Sequence, residues 1–193
     1  MGTENSILRR RALDAIRGNW STALVGFFIY GVLIGAGSGI GIVIFIGGPL
    51  MLGLTYFSLA FVRREELDFG LLFKGFNNFG NSLLAYIFII FFTLLWTLLL
   101  IIPGIIKGIS YSMTFFIMAD NPDIKPMDAI DRSMEMMNGY KMKYFLLTLL
   151  FFVLTLLSTL LLFIPLLWLI PYMYVTYAEF YEDIKDKAIM IDA

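Results

Sequence analysis

Apolar runs with no charged residue alternate with short charged stretches along the whole chain. Trp20–Val62, Leu83–Ile102 and Tyr144–Phe163 contain no Asp, Glu, Lys or Arg. A helix needs roughly 20 apolar residues to cross the ~30 Å hydrocarbon core of a bilayer. Leu83–Ile102 and Tyr144–Phe163 each meet that length, and Trp20–Val62 is long enough for two crossings. Pro103-Gly104 ends one run and a second apolar run carries the chain to Asp120. Pro165 likewise opens a run to about Ala178, which Pro171 interrupts. The pattern predicts six spans, at about 20–36, 40–62, 83–102, 104–119, 144–163 and 165–178. The first turn has two candidate positions. Glycines 35, 37, 39 and 41 favour 35–41, and Gly47-Gly48-Pro49 favours 47–49.

Between the spans the period changes. In Ser6–Asn19, Leu8, Ala12, Ala15 and Ile16 share one side and Arg9, Arg10, Asp14 and Arg17 hold much of the rest, which predicts an interfacial helix over 6–19. Trp20 follows at the level of the headgroups. Arg63–Asn81 is polar but repeats Phe69, Leu72, Phe73 and Phe76 at helical spacing, so it is expected along the membrane surface. Pro126 opens a second amphipathic helix, predicted over 126–138, and Asn138-Gly139 ends it. Its stripe of Met127, Ile130, Met134 and Met137 is expected to face the membrane.

An amphipathic segment, a span, a proline and an apolar return occur three times. Tyr56, Tyr111 and Tyr172 follow Pro49, Pro103 and Pro165 at nearly equal distance. Three related hairpins would draw the first turn towards Pro49. Arg9–Arg11 ahead of an apolar run ending in Gly35-Ala36-Gly37-Ser38 has the outline of a signal peptide, but removing it would leave a hairpin with one arm.

Composition narrows the function classes. Hydrophobic residues make up 60% of the 193 residues and charged ones 15%, which fits a single membrane domain over 1–193. With no cysteine and no histidine, disulfides, the usual zinc sets, thiol nucleophiles and the imidazole base are all excluded. A net charge of −1 gives no field to attract nucleic acid. Every acidic residue and every basic one except Lys107 falls in the tails or the two long connections, which six spans would place on one side. Lys and Arg mark the cytoplasmic face, so both termini are expected inside.

Lys107 is the one cation within a span and therefore the first functional candidate. Snorkelling to lipid phosphate accounts for it without a site. In the functional reading it lines a cavity with Ser110, Tyr111 and Thr114 and binds an anionic lipid or solute. No carboxylate lies in mid-span, which counts against proton- and ion-coupled transport. Gly31-x-x-x-Gly35 and Gly104-x-x-x-Gly108 read as ordinary helix packing. A Ser-Lys catalytic pair at Ser110 and Lys107 would rest on spacing alone, and no enzyme, metal or cofactor is expected.

The phrases RALDAIRGNW, GGPLMLGLTYF, LLLIIPGIIKGISYSM, ADNPDIKPMDAIDRSMEMMNGYKMKYFLL and LLWLIPYMYVTYAEFYEDI together resemble a bacterial family of multi-span integral membrane proteins, a domain of unknown function numbered 975. The resemblance runs from about Leu13 to Lys185. Its matching positions include Trp20, Gly48, Pro49, Pro103, Gly104, Lys107, Tyr111, Asp120, Pro122, Ser133, Gly139 and Lys141. It implies a multi-pass protein of the bacterial inner membrane and supplies no mechanism. A fainter likeness is to the membrane portion of glycerophosphodiester phosphodiesterases, without their catalytic domain.

The expectation is an all-α, polytopic bundle of six transmembrane helices in three hairpins, with amphipathic interfacial helices. Its expected role is non-catalytic, organising membrane lipids or a protein partner at the cytoplasmic face. The alternative is a transporter or lipid-handling protein with an anion-binding cavity around Lys107.

Overall fold

A computed structural model describes residues 3–39 and 42–189. They form nine α-helices and one 3-10 segment: α1 Asn5–Ile16, α2 Trp20–Gly39, α3 Val43–Arg63, the 3-10 segment Phe69–Asn78, α4 Phe79–Leu99, α5 Ile101–Tyr111, α6 Thr114–Asp120, α7 Pro126–Met136, α8 Lys141–Leu160 and α9 Leu166–Ile189. Among the described residues, five stretches are long and apolar enough to cross a membrane: Trp20–Gly37, Val43–Arg63, Phe69–Leu99, Ile101–Asp120 and Lys141–Leu160. The expected sixth, 165–178, is not among them. It forms the first part of α9, which continues through Pro171 into the charged Glu179–Lys185 without a break.

Proline explains most of the displaced boundaries. Pro49 lies inside α3, so the first turn falls between Gly39 and Val43 and not at 47–49. Residues 40 and 41 of that turn lie outside the described residues. The second turn is at Leu100, whose backbone is extended at φ −159°, ψ 136°. Pro103 therefore sits in the first turn of α5, where a missing N–H costs no helical bond. At the third turn the chain reverses through left-handed Leu162 and Phe163, ahead of Pro165. The three prolines thus hold different structural positions, and they do not mark equivalent turns of a threefold repeat.

α3 is the centre of the packing. Leu50, Leu52, Leu54, Phe57, Leu59, Ala60 and Phe61 are all buried. The expected surface segment instead lies lengthwise on this helix. Phe69 packs on Phe57 at 6.2 Å between ring centroids, and the Lys74 ammonium stands 4.5 Å over the Tyr56 ring. Backbone meets backbone here: a Cβ on Gly53 would fall on the Leu72 carbonyl, and one on Gly75 on the Pro49 carbonyl. α4 crosses at the next position, where a Cβ on Gly48 would fall on the Ser82 carbonyl. The Gly47-Gly48-Pro49 run is therefore a seat for neighbouring chain.

α1 has the predicted face, with Leu8, Ala12, Ala15 and Ile16 buried. They pack against α9 and α3. The methionine stripe of α7 also turns inward: Ile130 and Met137 are buried, and only Met127 is exposed. Gly31 and Gly35 meet nothing within 4 Å, while Gly26 of the same helix meets Phe57 and Gly37 meets Ile46. Of the pair on α5, Gly104 is pressed against Thr97 and Gly108 has room.

Candidate functional site

Charge gathers where α3, α6 and α9 meet. Arg63 ends α3, Asp120 ends α6, and Tyr181, Glu182 and Lys185 lie on the charged half of α9. Asp120 Oδ1 accepts from Arg63 Nη2 at 2.6 Å. Its Oδ2 accepts from Lys185 Nζ at 2.5 Å and from the Tyr181 hydroxyl at 2.9 Å. Arg63 Nε donates to Glu182 Oε1 at 2.7 Å. The Tyr181 ring stacks on Phe116 at 5.2 Å. Each charge has an opposite neighbour, so the cluster is a clamp joining α3, α6 and α9.

A second pair continues it. Lys143 Nζ lies 3.1 Å from Asp183 Oδ2 and 5.1 Å over the Phe180 ring. The Thr3 backbone N–H donates to the same Asp183 oxygen at 3.0 Å, and Asn5 Nδ2 donates to the Lys143 carbonyl at 2.9 Å. Glu179, between the two pairs, is only 9% exposed. Burial pushes its carboxyl up to about 6; nearby Arg11 and Arg64 pull it down, and Glu182 and Asp183 push it up.

Sequence patterning did not single out this cluster. A signal was present, because Arg63, Asp120 and Glu182–Lys185 each stand at the end of an apolar run on the same predicted side.

The four expected site residues are placed otherwise. Lys107 Nζ stands 5.2 Å over the Trp96 ring and 3.7 Å from Met134 Sδ. No carboxylate pairs with it among the described residues. Ser110 is buried and donates to the Ile106 carbonyl at 2.8 Å; Thr114 is buried and donates to the Tyr111 carbonyl at 2.8 Å. Tyr111 packs its ring on Phe92 at 6.5 Å. The Ser110 hydroxyl therefore serves its own helix, and the Thr114 hydroxyl bridges the break to the last carbonyl of α5. A groove of about 600 Å³ does exist between α4, α5 and α8, lined by Thr93, Thr97, Gly104, Ser112, Tyr144 and Thr148 among others. None of the four expected residues lines it.

Serine also fixes the α5–α6 junction. Ser133 of α7 is fully buried; its Oγ donates to the Ser110 carbonyl at 2.7 Å and accepts the Met113 N–H at 3.2 Å. Lys107, Tyr111, Asp120 and Ser133 are all positions that carry the resemblance noted above. Residues 97–188 match the family model described as Protein of unknown function (DUF975). The match takes in the second half of the chain, including α5 to α8 and nearly all of α9. No curated protein and no solved structure matches the chain.

Proposed function

We propose that the protein is a non-catalytic integral membrane protein of the bacterial inner membrane, with both termini cytoplasmic, that organises lipids or a protein partner. The observation that carries this reading is an apolar exterior joined to a charged collar closed on itself. Phe28 and Val32 on α2, Leu94 and Leu98 on α4, and Phe152 and Leu160 on α8 are exposed, as lipid-facing positions are. The collar spends Arg63, Asp120, Glu182 and Lys185 on holding helix ends together. The exposed Asp128, Asp131, Arg132 and Glu135 of α7 are then one charged surface open to a partner, beside the exposed charges of α1 and of residues 64–68. Cross-linking in native membranes from position 128 or 132 tests this; an adduct with a second protein or a defined lipid is expected, and its absence from both positions rejects the reading.

One observation favours the lipid-handling alternative, since Lys107 has no acidic partner among the described residues and could receive an anionic headgroup. Purification in native-lipid discs separates the two readings. Loss of bound anionic phospholipid in Lys107→Met supports lipid handling, and an unchanged lipid profile supports the organising role.

A further inference from the structure

We infer that the α4–α5 hairpin enters the bilayer from the charged face and turns round inside the hydrocarbon, without crossing to the other side. This rests on the membrane reading above and adds how the hairpin meets the lipid.

The first observation is the docking of α7. Asp128, Asp131, Arg132 and Glu135 are exposed on this helix, so its outer face lies in water or among headgroups. Ser133, on the opposite face, is bonded to Ser110 and Met113, midway along the Ile101–Asp120 stretch. The helix breaks at that point, between Tyr111 and Thr114. A charged helix fastened there brings the polar boundary to the break. Only α5 then remains below it. Its 11 residues reach about 16 Å at ~1.5 Å per residue, half of a ~30 Å core.

The second observation is the tip. Leu98 to Ile102 are 65–81% exposed, and no polar side chain occurs between Thr97 and Lys107. A turn emerging into water would expose five large aliphatic side chains in succession. Its backbone is also partly closed: the Leu100 N–H donates to the Trp96 carbonyl at 3.0 Å, the Gly104 N–H to the Leu100 carbonyl at 3.2 Å, and Pro103 has no N–H. That economy suits a turn in lipid, where no water replaces a missing partner.

The third is α4 itself. Leu84, Ile87, Phe91, Leu94 and Leu98 form one exposed apolar stripe along the whole helix. Its 21 residues measure about 31 Å, twice the depth that α5 allows, so α4 runs obliquely through one leaflet with this stripe against acyl chains. Lys107, over Trp96, lies near enough to the boundary for its ammonium to reach headgroups.

The chain has no cysteine, so single-cysteine variants of the full-length protein report position directly. Ile101→Cys and Asp131→Cys are treated with a membrane-impermeant maleimide in right-side-out and inverted vesicles. The expected result is labelling of Asp131→Cys from the charged face only, with Ile101→Cys unlabelled from either face. A fluorophore attached through the thiol of the Ile101→Cys variant should be quenched most by lipids carrying a nitroxide deep in the acyl chain. Labelling of Ile101→Cys from the opposite face, or protection of Asp131→Cys from both faces, overturns the inference. Carbonate washing separates the two levels: release of the protein from the vesicles overturns the membrane reading itself, while retention with Ile101→Cys labelled overturns only the turn in hydrocarbon.

Discussion

The backbone of Ser82 occupies the space that a side chain on Gly48 would need. Gly48→Ala must therefore push α4 off α3, and overpacking of this kind costs about 1–3 kcal/mol. Thermal unfolding in detergent should show the loss. Gly31→Ala, which meets nothing within 4 Å, should be neutral or gain up to about 1 kcal/mol from helix propensity.

Asp120→Asn removes the charge that Arg63 and Lys185 share, at 2.6 and 2.5 Å. Both cations keep some access to solvent, so the cost should be about 1–3 kcal/mol, below the range for a fully buried pair. Restoring stability by combining it with Lys185→Met would show that the loss is the unpaired charge; no recovery in the double variant would rule this out.

The Glu179 carboxyl is raised from 4.5 to about 6 by burial. Its ionised form is disfavoured in the folded protein, so the wild type loses stability as pH rises through that window and bears the full penalty above it. Glu179→Gln should therefore match the wild type below about pH 4.5 and exceed it by about 1–2 kcal/mol at pH 7. A difference of constant size across pH would contradict the assignment.

Lys107→Met should change unfolding by less than about 1 kcal/mol, since it removes a cation over an aromatic face and no ion pair. Chemical denaturation in lipid discs measures this. A larger loss would mean that the ammonium holds a partner.

How much was legible in the sequence depends on whether the information was local. The buried face of α1 followed from a 3.6-residue period, and Leu8, Ala12, Ala15 and Ile16 are the buried residues. Gly47 and Gly48 misled, because a glycine that admits neighbouring chain, here the Tyr86 ring and the Ser82 backbone, looks in sequence like one that makes a turn. The break after Tyr111 had no proline or glycine to announce it; it is fixed by Ser133, distant in the chain. The clamp at Asp120 was hidden for the same reason, since its members meet only when α3, α6 and α9 pack. Ser110 and Thr114 are polar positions near Lys107, yet both hydroxyls bond nearby backbone carbonyls three or four residues back, an outcome that sequence position alone does not distinguish from facing a cavity.

The glycine contacts around Pro49 join residues close in sequence, reaching Gly75, Ser82 and Tyr86, whereas Thr3 waits for Asp183. The order of assembly follows from this difference. α3, the 3-10 segment and α4 can settle together while the later helices are still being synthesised. α1 has no partner on α9 until all the helices between them have been made, and in that interval its apolar side has only α3 and the membrane surface to rest on. The interfacial helix that the early residues predict is then a stage in the life of the chain, and α9 draws it into the core.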